Sequence, residues 1–372
     1  MDPGTDTDLA KAAVAPGPAE FAAKRPAYQA ELAAGVERFL EPRRETCPWC
    51  GSAQLATRVR TQDLIQRKPG RFVMDACRTC GHVFQNPRLT PAGLDFYYRD
   101  FYDGLGQSVM EPVFDGATQY NRERAEMVAA ALAASGTEPK RWLDVGCGYG
   151  HFAKHAREVL PGTTFEGLDM GVGVTIGEAR GWLNKAHQGM FPEIADSLAG
   201  QYDVLSMHHY LEHTRDPRAE LDAAARVLGP GDLFLIEMPD PCYRLAKAFG
   251  KWWMPLLQPQ HQHMIPMRNL LAALAERGFA PVATTSGHAH MAVDATWAFV
   301  QMFAVAAPDP RMPWLREPEN AWRRKRHDLA WKKVAPKVFG FGHKVDKVLT
   351  RVAHRTDNGN TYRVLARREA GA

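Results

Sequence analysis

Between Met207 and Pro217 the chain reads MHHYLEHTRDP, and His209, Glu212 and His213 stand in the order H-x-x-E-H. In one group of zinc peptidases that order brings two histidines and a carboxylate to an ion. It requires both histidines on a long helix and a further ligand well downstream. Here an apolar strand-like run, YDVLSM, leads straight into the segment, and Asp216-Pro217 interrupts any helix just beyond it. Peptidase chemistry is therefore set aside. What remains is a strand-to-loop corner carrying groups able to move a proton, since histidine titrates near neutrality.

A second set of residues is more specific. Of the six cysteines, Cys47 and Cys50 form CPWC and Cys77 and Cys80 form CRTC, with 26 residues between the pairs. Each C-x-x-C can turn two thiolates onto one ion, and two such turns close a tetrahedron. Gly51 and Gly81 follow the pairs and suit the positive φ that such knuckles need. The expectation is structural Zn2+ in a closed thiolate shell that does no chemistry.

The third set is LDVGCGYG, Leu143 to Gly150. A dinucleotide fingerprint would place its third glycine at position 151, where the chain has His151, and no G-K-[ST] follows. Neither fingerprint fits. What stands is D-x-G-x-G-x-G, with Asp144 ahead of Gly146, Gly148 and Gly150.

The elements around these residues alternate. RWLDV, TTFEGLD, YDVLSM, LFLIEM and FAPVATT are strand-like, and HFAKHAREVL, VGVTIGEARGWL, AELDAAARVL and MRNLLAALAERG have helical spacing. That rhythm predicts an α/β fold, a mostly parallel sheet covered by helices on both faces. TYRVLARRE reads as a last strand, expected antiparallel at the sheet edge. EFAAKRPAYQAELAAGVERFL reads as a helical pattern broken at Pro26.

The glycine loop after the first strand resembles the first motif of class I S-adenosylmethionine-dependent methyltransferases. The resemblance implies a Rossmann-like, seven-stranded sheet with S-adenosylmethionine as cofactor. Asp144 would receive the ammonium end and Asp169, at the end of the second strand, both ribose hydroxyls. Met170, Met190, Phe191 and His208 would line the nucleoside. L-E-H followed by D-P after the fourth strand also fits the family. Two knuckles, then NPR and FYYRDFY, then this core, are similar to bacterial zinc-ribbon methyltransferases, some of which are sugar C-methyltransferases. In those a Tyr-x-Glu-His supplies the base, which here is Tyr210, Glu212 and His213, with His213 as the base. Tyr97, Tyr98, His209, His261 and His263 are the residues implied for substrate. The bland alternative for His213 is a histidine capping the next helix.

The expected divisions are an N-terminal extension over 1–43, a zinc ribbon over 44–90, a helical cap over 91–138 and a core over 139–289. A basic helical insertion over 290–355 and the last strand over 356–372 follow. The chain has 372 residues and a net charge of +4, but Arg311 to Arg355 alone carries 13 Lys or Arg against four Asp or Glu. This segment is either a solvated helix pair or a docking surface for an anionic ligand or membrane. The tryptophans at 297, 314, 322 and 331 suit an interface. Without an apolar leader-like run or spanning segment, the expectation is a cytoplasmic protein, peripheral at a membrane. A small-molecule acceptor leads. RNA is disfavoured by the lack of an N/D-P-P-[YF] motif, and a non-catalytic assembly protein by the intact glycine loop and acids.

Overall fold

A computed structural model describes residues 17–371 except 103, 107–110, 112, 134–135, 137, 287–292, 317–319 and 357–358. The strands are β1 (Leu55–Thr61), β2 (Phe72–Cys77), β3 (Val83–Gln85), β4 (Arg141–Val145), β5 (Thr164–Asp169) and β6 (Lys185–Gln188). They continue with β7 (Val204–His208), β8 (Leu233–Pro239), β9 (His263–Met264), β10 (Phe279–Ser286) and β11 (Thr361–Arg368).

One sheet has seven strands in the order β10-β11-β8-β7-β4-β5-β6. β4, β5, β6, β7 and β8 are mutually parallel, and β11 runs antiparallel to both β8 and β10. This is a Rossmann-like, seven-stranded and mostly parallel sheet, as the sequence pattern predicts. The central strands read as unbroken apolar runs because helices cover both faces; every residue of β8 is buried. β11 is not at the edge as expected from sequence. It lies between β8 and β10, and its first six residues are buried. FAPVATTS takes the edge instead, with a half-exposed pattern and a bulge beside Pro281, as suits a proline-bearing edge strand.

Four helices matter to the site: α1 (Pro18–Ala33), α2 (Pro91–Tyr98), α3 (Thr118–Leu132) and α4 (His151–Val159). α1 runs through Pro26 without a break, contrary to the sequence reading. Its buried Phe21 and Tyr28 pack into an aromatic cluster with Phe39, Phe72, Phe96, Tyr97 and Trp314. Tertiary packing outweighs the one hydrogen bond that proline removes.

The second sheet joins the two halves of the chain. Its order is β1-β2-β3-β9, so the three strands around the cysteine pairs are completed by two residues from the segment after β8. Gly51 and Gly81 adopt φ of 73° and 80°. Beyond the core, helices Asp294–Ala306, Ala321–Lys333 and Ala335–Thr356 pack together, and Asp346 accepts from the Ala295 and Thr296 amides. Trp314 is 2% exposed and donates to the Gln66 carbonyl, so it belongs to the core and not to an interfacial surface. Trp322 and Phe341 are exposed. Among the described residues no helix is long and apolar enough to cross a membrane.

Candidate functional site

The C-terminal ends of β4, β5, β7 and β8 converge on one region. The loop after β4 holds Gly146, Gly148 and Gly150 at φ of 75°, 53° and 82°. A Cβ on Gly146 would come within 2.4 Å of the Tyr210 ring, whereas one on Gly148 would meet nothing within 4 Å. The first glycine is needed for packing, and the second faces open space where a ligand can approach backbone. Asp169, at the end of β5, accepts from the Gly148 amide at 2.9 Å and the Gly171 amide at 2.8 Å. Burial pushes its carboxyl above the ordinary range.

Asp144 is buried and accepts from the Ser206 hydroxyl at 2.6 Å. Burial raises its carboxyl to about 7. The side chain of His208 lies 3.9 Å from Asp144, and both its buried ring nitrogens lack a partner among the described residues. Unpaired polar atoms beside an open glycine turn fit a polar ligand such as the methionine end of S-adenosylmethionine. Met170 and Met190 stand exposed next to the ends of β5 and β6, and Phe191 is fully buried in the core.

The corner after β7 is built on a charge network. Arg124 from α3 and Arg363 from β11 both pair with Glu237 on β8, which is fully buried. His209, at φ 51°, sets its two ring nitrogens 3.1 Å from Glu237 and 3.1 Å from Glu212. Burial opposes a charge on His209, but these two hydrogen bonds outweigh it and push the ring up to about 9. His209 is thus a cation clasped by two carboxylates. Burial also works against ionising Glu212, yet His209 holds its carboxyl below the usual range.

His213 ends the single 3-10 turn Leu211–His213 and is half-buried. It does not cap the next helix; Asp216 does, accepting from Arg218 and Ala219 amides. Its Nδ1 lies 2.8 Å from the Tyr98 hydroxyl, and that hydroxyl is 2.9 Å from the Gln260 carbonyl. The His261 ring meets His213 edge-on at 4.4 Å, and the Tyr102 ring lies 6.2 Å away. Burial lowers both histidines, His261 to about 3.

Other sequence candidates fall elsewhere. The Tyr210 ring covers the glycine loop and its hydroxyl donates to Glu220 at 3.0 Å. Tyr97 sits in the aromatic cluster and donates to the Pro69 carbonyl at 2.6 Å. His263 stacks on His82 inside the smaller sheet, and His82 lies 3.7 Å from the Cys47 sulfur. Tyr102, Arg124, Glu237 and Arg363 were missed. Glu237 had a signal, a lone acid inside the apolar run LFLIEM; the arginines had none.

The four cysteine sulfurs cluster, with Cys47 to Cys80 at 3.8 Å and Cys50 to Cys77 at 3.6 Å. Ligands about 2.3 Å from a tetrahedral ion lie about 3.8 Å apart, so the quartet fits a thiolate-bound metal. The two regions are coupled. Gln85 on β3 donates to Gln258 and Pro259, while the Gln262 amide donates to the Glu212 carbonyl and its side chain to the His213 carbonyl.

Residues 118–284 match the family model described as a methyltransferase domain. It is 40% identical over 130 residues to a ubiquinone biosynthesis O-methyltransferase of Escherichia coli, covering 33% of this chain and 50% of that one. It is 39% identical over 110 residues to the protein of the same name from Erwinia tasmaniensis, covering 27% and 43%. The chain thus spans about half the length of the curated relatives it matches. A SAM-dependent methyltransferase from Archaeoglobus fulgidus is a more distant likeness, with 16% identity, a TM-score of 0.38, and coverage of 66% of this chain and 94% of that one.

Proposed function

We propose that the protein transfers the methyl group of S-adenosylmethionine to a hydroxyl of a small molecule. The observation that carries this reading is the open glycine turn between Asp144 and Asp169, inside the stretch matched by the methyltransferase domain model. When bound, the cofactor supplies a methyl group already activated on a sulfonium sulfur. The protein's own tasks are to align the acceptor and to take its proton.

Asp144 and His208 face the polar end of the cofactor, and Asp169 its ribose hydroxyls. Tyr98, Tyr102, His213 and His261 form the wall against which the acceptor lies. Nδ1–H of His213 is committed to Tyr98, so Nε2 is left to accept a proton, with Glu212 behind it. A hydroxyl acceptor is supported by the similarity to O-methyltransferases of ubiquinone biosynthesis. Sugars, glycolipid precursors and phenolic secondary metabolites are the acceptor classes to screen. The thiolate quartet holds Zn2+, and its sheet braces the loop carrying His261.

Exposed Trp322, Phe339 and Phe341 among the Lys and Arg of 321–356 support an anionic membrane surface as a second partner. Flotation with anionic but not neutral vesicles tests that. The main reading is tested by calorimetry with S-adenosylmethionine and S-adenosylhomocysteine. Saturable binding by the native protein and its loss in Asp169→Ala are expected; a native protein that binds neither ends the proposal.

A further inference from the structure

The wall around His213 contains lone pairs with no proton to share between them. The Gln260 carbonyl can only accept, so the single Tyr98 hydroxyl proton goes there, 2.9 Å away. The Tyr98 oxygen then accepts Nδ1–H of His213 at 2.8 Å. His261 Nδ1 faces the Pro255 carbonyl at 2.6 Å, so it too carries the proton. A neutral imidazole has one N–H, which leaves Nε2 of both rings as a bare lone pair. The third member is Glu212, fully buried, with one oxygen on His209 and Oε2 without any partner among the described residues.

One ligand atom from each of Glu212, His213 and His261 lies within 4.8 Å of the others. A buried carboxylate oxygen such as Glu212 Oε2 without a donor is costly. A cation between the three ligand atoms removes the cost. We propose that Glu212, His213 and His261 bind a divalent first-row transition-metal ion, separate from the cysteine-bound metal. Two imidazole nitrogens and one carboxylate oxygen suit Zn2+, Mn2+, Co2+ or Fe2+ rather than an all-oxygen ion. Ligands at about 2.1 Å from an ion sit about 3–3.5 Å apart, within the 4.8 Å bound on these three atoms. The outer contacts are those a metal-binding histidine needs: Tyr98 and the Pro255 carbonyl fix the two Nδ1–H groups, and His209 orients the carboxylate. His209 itself is no ligand, because both its nitrogens face carboxylates.

Three protein ligands leave positions open for water and for an acceptor oxygen. Its use there rests on the methyl-transfer reading. An acceptor hydroxyl on the ion loses its proton to solvent water, the O–H electron pair stays on oxygen, and that oxygen attacks the methyl carbon as the carbon–sulfur bond breaks. In this state Nε2 of His213 is a ligand, and direct proton acceptance by the imidazole is replaced.

The test is a Co2+ titration of the full-length, zinc-replete protein. One further equivalent is expected, with d–d absorption and no sulfur-to-metal charge-transfer band. In Glu212→Gln and His261→Ala its affinity should fall about 100-fold or more. Proton spectra of the native protein should also show two strongly shifted imidazole N–H signals, a readout independent of how the variants fold. No further equivalent, an equivalent unchanged in both variants, or no shifted signals would overturn the site. Methyl transfer at full rate after selective removal of this ion, with cofactor binding intact, would overturn its use and return His213 to the role of free base. A protein that binds the ion but not the cofactor supports the site and defeats the methyl-transfer reading alone.

Discussion

The cysteine quartet and the histidine–carboxylate corner lie on either side of one two-residue strand, β9, yet they are built in opposite ways. Each half of the quartet is a local turn, and like ligands close a shell around one point. The corner is gathered from α2, the turn after β7, strands β8 and β11, and the loop before β9, and it leaves lone pairs open. A closed shell can only stabilise. An open one retains the capacity to bind and react, and its members must be held from outside, by Arg124, Arg363, Glu237 and His209.

The sharpest way to break the contrast is to open the closed shell. If the quartet binds Zn2+ as proposed, Cys77→Ser should abolish that binding and, with structural zinc worth about 10 kcal/mol or more in small modules, unfold residues 44–90. Limited proteolysis there, together with loss of bound zinc, is the readout. Because β3 braces the loop of His261, methyl transfer should vanish with it. Intact activity in a zinc-free variant would separate the two regions.

Next in size is the support of the corner. Glu237→Ala takes from Arg124 and Arg363 the buried carboxylate they share, and from His209 one of its two carboxylates, and should cost about 3–5 kcal/mol in urea denaturation. His213→Ala, by contrast, should barely change stability while lowering the transfer rate about 10²–10⁴-fold at unchanged cofactor affinity. A comparable loss of cofactor affinity would mean that His213 serves the nucleoside side.

The smallest effect is a pH dependence. Asp144, raised by burial to about 7, is a carboxylate able to meet an ammonium only above that value. The sign follows: cofactor affinity should fall as pH drops through about 7, by roughly tenfold per unit at the limit. Calorimetry across that range should show the dependence in the native protein and none in Asp144→Asn.

Much of this was readable from residue order because it is local. A C-x-x-C turn, a glycine turn between strand and helix, and alternating apolar runs each lie within about a dozen residues, so their geometry is set by their own backbone. The parallel run of the central strands also followed, since strands joined through helices are right-handed crossovers. Tertiary structure decided the rest. It set β11 between β8 and β10, turned Tyr97 into an aromatic core and Tyr98 onto His213, and gave His263 to the smaller sheet while His261 reached the corner. Neighbours in sequence were sent to different places because burial partners come from segments far apart in the chain. Those long-range contacts, rather than residue type, choose which histidine is a clasped cation and which keeps a free lone pair.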